Sequence, residues 1–379
     1  AALGESNLIL GIEDKGAWLE DRKMGYPDVK NAEINFADST VHIPYAEDRT
    51  IADQATNTLG MFAQYKYEWK KLKISAGLRF DHYRISDQKK DGGGVSGNVL
   101  SPRLTLKYDI KKSLQARISY SQGYRAPQIY DEDLHIETSG ARRVIHRNAT
   151  DLVQETSHSY MASLDYNGQL GNTYVGLLLE GFYTQLNDAF VNNFGAPNEN
   201  GTVVYTRVNA DKGAVVQGLN IEMNLVPAGD VSFTGGFTVQ TSDYQAPHAF
   251  NRETFFRTPD DYGYMTLNWN PTAKLGISSS GTYTGQMLVP YFGTDLNNPE
   301  AGTLRQSPRF LDLGLKMTYQ VSINEETNME LSAGVKNLFN SYQNDFDRGI
   351  DRDPGYIYGP STPRTIYFGI KVGNMLKKR

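Results

Sequence analysis

The stretch Arg364 to Val372 reads Arg-Thr-Ile-Tyr-Phe-Gly-Ile-Lys-Val, and every second residue is apolar: Ile366, Phe368, Ile370 and Val372. A period of two marks a strand with one apolar and one polar face. The pattern recurs along the chain. Leu72, Ile74, Ala76, Leu78 and Phe80 alternate with Lys73, Ser75, Gly77, Arg79 and Asp81. Met329, Leu331, Ala333 and Val335 alternate with Glu330, Ser332, Gly334 and Lys336, and Leu311, Leu313, Leu315, Met317 and Tyr319 alternate with polar or small residues. One such strand also suits a soluble sandwich. Many long ones, with no helical period between them, point to an all-β fold: a transmembrane antiparallel β-barrel with lipid outside and water or protein inside.

Composition agrees. Mean hydropathy is -0.51, and no apolar run reaches the about 18 residues of a spanning helix. Only strands could then cross a membrane. Tyr outnumbers the other aromatics, 24 against 16 Phe and 3 Trp, and its apolar ring with a wet hydroxyl suits the interfacial girdles of a barrel. The absence of Cys rules out disulfides and thiolate metal sites. A net charge of -5 argues against nucleic acid held by its phosphates. No secretory leader opens the sequence, as expected of a mature barrel protein or a fragment of one.

Alternating segments fall near 6–20, 57–69, 72–86, 98–110, 113–123, 156–169, 172–188, 202–226, 230–242, 261–270, 273–286, 308–321, 327–340 and 363–374. They predict about fourteen strands. Short turns such as Trp69-Lys70-Lys71-Leu72 and Trp269-Asn270-Pro271-Thr272 alternate with long polar loops at 21–56, 87–97, 124–155, 189–201, 243–260, 287–307 and 341–362. Short turns on one rim and long loops on the other are the outer-membrane arrangement, with turns periplasmic and loops extracellular. That places the protein in a bacterial outer membrane, crossing it many times, with lipid as its first partner.

Several segments resemble the C-terminal barrel of TonB-dependent outer-membrane receptors. Gly334-Val335-Lys336-Asn337-Leu338-Phe339-Asn340-Ser341-Tyr342 resembles that family's V-x-N-L-F-N strand, and Pro363-Arg364-Thr365-Ile366-Tyr367-Phe368-Gly369 its closing strand. Gly123-Tyr124-Arg125-Ala126-Pro127 is similar to the G-F/Y-R-A-P exit into a large loop. Leu100-Ser101-Pro102-Arg103-Leu104 and Gly77-Leu78-Arg79-Phe80-Asp81 match further family patterns, in the family's order. The resemblance implies a plugged barrel of about 22 strands that imports a scarce bulky nutrient, energised by TonB–ExbB–ExbD through the plug. Residues 1–379 read throughout as barrel, with no plug domain and no TonB box, so the missing strands and plug are expected elsewhere, absent, cleaved or on another chain. The outer loops resemble a Bacteroidetes-type, cobalamin-receptor-like or ferric-siderophore-receptor-like subgroup. A corrinoid is expected first, then ferric siderophore, then haem. Two alternatives stand beside import: a passive channel of porin or fatty-acid-channel type, and a scaffold for a surface lipoprotein.

Candidate ligand contacts lie in the long loops. Tyr130, Tyr244, Tyr291, Phe292, Tyr356 and Tyr358 are expected as exposed rings that grip a bulky solute, with Asp131 and Asp133 beside the first. Asp345, Asp347, Asp351 and Asp353 are spaced as oxygen ligands for Ca²⁺, although the bidentate Glu of an EF-hand is missing. Acids paired with the neighbouring Arg348 and Arg352 are the plainer reading of the same stretch. Of six histidines only His135 and His146 share a loop, which is poor support for haem or metal ligation. No G-x-S-x-G or converging Ser, His and Asp set is present, so no enzyme is expected.

Overall fold

Fourteen alternating segments become fourteen strands of a single sheet. The computed structural model describes the chain apart from residues 1–4, 24–25, 38, 47–48, 88–93, 128–143, 196–202, 228, 294, 299–300, 325–326, 350–351, 354 and 374–379. The strands are β1 (Glu5–Lys23), β2 (Arg49–Trp69), β3 (Leu72–Asp87), β4 (Val95–Lys111), β5 (Leu114–Arg125), β6 (Glu155–Leu170) and β7 (Thr173–Asn187). They continue as β8 (Ala214–Val226), β9 (Val231–Tyr244), β10 (Asp261–Trp269), β11 (Leu275–Thr284), β12 (Phe310–Ser322), β13 (Asn328–Lys336) and β14 (Thr365–Gly373). Sheet order is sequence order, with β1 and β14 at the two edges. Each neighbouring pair is antiparallel.

The registers carry the apolar positions from strand to strand on one face. Leu10 lies opposite Ala63, Ala63 opposite Leu78, and Leu78 opposite Pro102. At the far edge Leu315 lies opposite Val335, and Val335 opposite Ile366. Leu78, Phe80, Leu311, Leu331, Ile366, Phe368 and Ile370 are exposed. No second layer covers this face: the chain exposes 23830 Å², against about 15,000 Å² for a compact soluble protein of its mass. The opposite face carries Ser, Thr, Gly and charges. There Arg79 Nη2 lies 2.9 Å from Glu13 and 2.8 Å from the buried Asp81. Opposite Asp81, Gly60 supplies the space, since a Cβ would meet both Arg79 and Asp81.

Short turns and long connections alternate as the sequence predicts. At the tight end Gly171 takes φ 62, left-handed backbone that a turn of this length needs. Three boundaries differ from expectation. The segment 202–226 is two strands, because Gly213 (φ 74) turns the chain where a Cβ would lie 2.1 Å from the Leu186 carbonyl oxygen. Its first part, Val203–Asn209, leaves the wall and pairs antiparallel with Phe190–Phe194 and parallel with Val144–Asn148, a small sheet in the loop layer. At the start of the chain β2 begins at Arg49, within the expected 21–56 loop, because it pairs with the outer end of β1 up to Lys23. Near the end β13 stops at Lys336, because Asn337 turns to φ 49.

Candidate ligand-capture site

Buried apolar side chains collect at the loop end of the sheet rather than between layers. One cluster joins Tyr83, Ile85, Val99 and Ala126, and another joins Met287, Val289, Tyr291 and Tyr356. The second lies in the loops 285–309 and 337–364, whose side chains determine the geometry of this end.

The neck of the longer loop is made by amides. Asn337 is buried, and its side chain donates to the carbonyls of Ser341 (3.2 Å) and Thr362 (2.9 Å) and accepts from the Ser341 N–H (2.8 Å). Asn340 accepts from the Arg364 N–H at 2.9 Å. The two asparagines of the V-K-N-L-F-N segment thus tie the loop's departure from β13 to its return into β14. Further up, the buried Gln343 donates to the Tyr356 carbonyl (3.0 Å) and accepts from the N–H groups of Tyr358 (2.8 Å) and Gly359 (3.3 Å). Each bond replaces one lost to water, as buried polar groups require.

Above the neck, tyrosines meet carboxylates. Tyr356 and Tyr358 donate to the two oxygens of Asp345, at 3.0 and 2.6 Å. Tyr291 donates to Asp295 at 2.6 Å, and Arg305 donates to the other Asp295 oxygen at 2.9 Å. The Arg305 guanidinium lies 3.5 Å from the Tyr291 ring centre, and the Tyr291 and Tyr356 rings pack edge to face at 4.6 Å. Burial, then the bond to Asp345, pushes the Tyr358 and Tyr356 hydroxyls above the usual tyrosine range. Burial, then the bond to Asp295, does the same to Tyr291. The Tyr291 hydroxyl, with Arg305, holds the Asp295 carboxyl below its usual range. Asp353 accepts from the N–H groups of Phe292 (2.8 Å) and Gly355 (2.9 Å), joining the two loops, while burial pushes its carboxyl up.

The expectation that these rings stand exposed differs from the structure. Tyr291, Phe292 and Tyr356 are buried and Tyr358 is half-buried, because each ring packs on another and each hydroxyl has a carboxylate to reach. The acids expected for Ca²⁺ are also acceptors within the loop: Asp347 takes the N–H groups of Arg348 (2.9 Å) and Asp353 (2.7 Å). Among the described residues no group of three or more His, Asp or Glu converges as a metal cage. Tyr130, Asp131, Asp133 and Asp351 lie outside the described residues.

Phe292 connects this network to a second feature. Its ring lies 5.4 Å from Phe194 and 5.9 Å from Phe250. Beside these rings opens a cavity of about 260 Å³, walled by Arg125, Arg207, Arg252 and Arg257 together with Phe190 and the half-buried Tyr244. Arg125 stacks on Phe190 at 4.7 Å and Arg207 approaches the same ring at 6.0 Å. Arg257 reaches across to the Gly355 carbonyl, and its N–H donates to Leu288 at 2.8 Å. Sequence reasoning placed Tyr244 in the loops but missed the arginines, which lie on four separate segments. The nearest signal was Arg125 within Gly-Tyr-Arg-Ala-Pro.

Comparison with known proteins fits this architecture. No curated protein matches the sequence. Among solved structures, FpvA of P. aeruginosa in complex with a heterologous pyoverdine and Fe superposes with TM-score 0.66 at 14% identity, covering 97% of this chain and 45% of that one. The copper transporter OprC gives 0.64 at 14% identity, covering 97% and 54%. A mutant of the ferric enterobactin receptor PfeA from Pseudomonas aeruginosa gives 0.61 at 19% identity, covering 98% and 51%. The chain therefore spans about half the length of the structures it resembles, and at these identities the likeness is one of fold. The family model described as TonB dependent receptor-like, beta-barrel matches residues 10–338, and the chain belongs to that family.

Proposed function

We propose that this chain is barrel wall and mouth of an outer-membrane receptor that captures a scarce bulky nutrient and imports it with energy delivered by TonB–ExbB–ExbD. The observation that carries the reading is the concentration of ordered aromatic and charged groups at one end of a barrel of this family, where Tyr291, Phe292, Asp353 and Tyr356 lock two long loops together. A simple pore has no need of such a layer. The long loops then face outside and the short turns the periplasm. Strands that complete the wall, and the plug that TonB pulls, come from outside the described residues, because an open sheet edge in lipid leaves backbone groups unsatisfied at several kcal/mol each.

The nutrient is a chelated metal. Proteins of the same fold include a copper transporter, a ferric enterobactin receptor and a receptor seen with pyoverdine and Fe. A corrinoid, which the loop resemblance favours, and haem enter the test as competing ligands. The test is uptake of radiolabelled iron chelate, cobalamin and haem by cells carrying the protein, with and without TonB. Uptake of one of them that needs TonB, with surface binding retained in its absence, is the expected result. Entry that is indifferent to TonB and shows no saturation would replace import by passive diffusion.

A further inference from the structure

The 260 Å³ cavity in the loop layer has an unusual lining. Four guanidinium groups converge from separate segments: Arg125 at the end of β5, Arg207 in the small loop sheet, and Arg252 and Arg257 in the connection between β9 and β10. His248 joins them. No carboxylate lines the space. The nearest acid placed by the hydrogen bonds is Glu155, which accepts the Phe190 N–H at 2.9 Å from behind the wall. Arg207 is only 7% exposed, so this charge is held away from bulk water, where field is poorly screened. The remaining wall is flat and apolar, with Phe190 beneath two guanidiniums, Tyr244 against Phe255 at 4.4 Å, and Pro290.

A concave, partly desolvated site of one charge sign favours the opposite sign, and guanidinium forks favour paired oxygens. We infer that this cavity binds a multiply charged oxyanion carried on a flat ring system, the anionic oxygens on Arg252 and Arg257 and the ring against Phe190 and Tyr244. The inference rests on the receptor reading above and gives the captured nutrient a sign: an anionic chelate is accepted, and a ligand without net negative charge is not.

The probe is pyranine, a planar pyrene trisulfonate whose fluorescence reports binding, with methylene blue as the flat cationic control and inorganic pyrophosphate as competitor. The protein is the receptor purified in detergent from its native outer membrane. Saturable pyranine binding is expected, displaced by pyrophosphate, weakened by salt, and absent for methylene blue. R252Q and R257Q should each weaken it about tenfold, the worth of one charge-assisted bond, whereas R252K should stay within about threefold because the charge is kept. Native heat-modifiable gel mobility of each variant excludes misfolding as the cause. Equal affinity for both dyes, or pyranine binding untouched by R252Q and R257Q together, overturns the site, as does no binding of either anion. TonB-dependent uptake with no anion binding sinks this inference alone, while anion binding without TonB-dependent uptake sinks the receptor reading instead.

Discussion

Asn337 shows how much one side chain does at the loop neck. It sits at φ 49, where a residue with a Cβ is strained and Asn is among the least penalised. Its carboxamide makes three bonds across the neck. Asn337→Ala keeps the strain and removes the bonds, so it should destabilise the loop by about 2–4 kcal/mol, read as faster amide exchange throughout 341–362. Asn337→Gly relieves the strain and should lose less; equal loss would mean that the backbone conformation contributes nothing. The tyrosines supply a pH test. Tyr291, Tyr356 and Tyr358 hold their protons more tightly in the folded loop than in the unfolded chain. The stability this linkage provides is complete below about pH 10, the ordinary tyrosine value, and is lost as pH rises through the raised values. Absorbance near 295 nm should therefore show a late-titrating class of phenols, reduced by Asp345→Asn. The sequence located these rings but not their burial, since burial depends on Asp295 and Asp345 arriving from particular points of two loops, and nothing periodic marks such points.

At the scale of the strand, alternation was nearly sufficient. All fourteen predicted segments are strands, because a sheet with one face in lipid repeats the same constraint at every second residue and a register slip would invert every side chain. Where the constraint stopped, legibility stopped. Val203–Asn209 alternates like its neighbours yet belongs to the loop layer, and only the Gly213 turn separates it from β8. The two faces make a direct test. Leu78 stands on the apolar face beside Ala63 and Pro102, and Ser75 on the opposite face donates no lipid contact but accepts from Gln64 at 2.9 Å. Leu78→Arg should cost about 2–4 kcal/mol in a bilayer, and Ser75→Arg far less, because the first places a cation in hydrocarbon and the second in a polar interior. Unfolding from lipid vesicles by denaturant measures both, and equal costs would refute the assigned faces.

For the whole molecule, the question is whether wall and mouth are separable. The sheet ladders end at Lys336 and resume at Thr365, so nothing between 345 and 358 takes part in the strand pairing. The same residues do hold the mouth: Asp345 anchors two tyrosines, Asp353 takes the Phe292 N–H, and Tyr356 packs on Tyr291. Removing 345–358 should leave a barrel that still resists detergent at room temperature and shifts on heating, since a wall of ladder bonds does not depend on its outer loops. It should also uncover Tyr291 and Phe292 and free Arg257 from the Gly355 carbonyl, disturbing the arginine cavity from a distance. Affinity for the nutrient should then fall by about tenfold or more, equivalent to about 1.4 kcal/mol or more, although the deleted segment contributes no residue to the lining of that cavity. The two readings, heat-dependent mobility and ligand affinity, are taken on the same preparation. Loss of the heat shift would show that the loop helps to hold the wall, and unchanged affinity with an intact wall would show that capture does not use this layer.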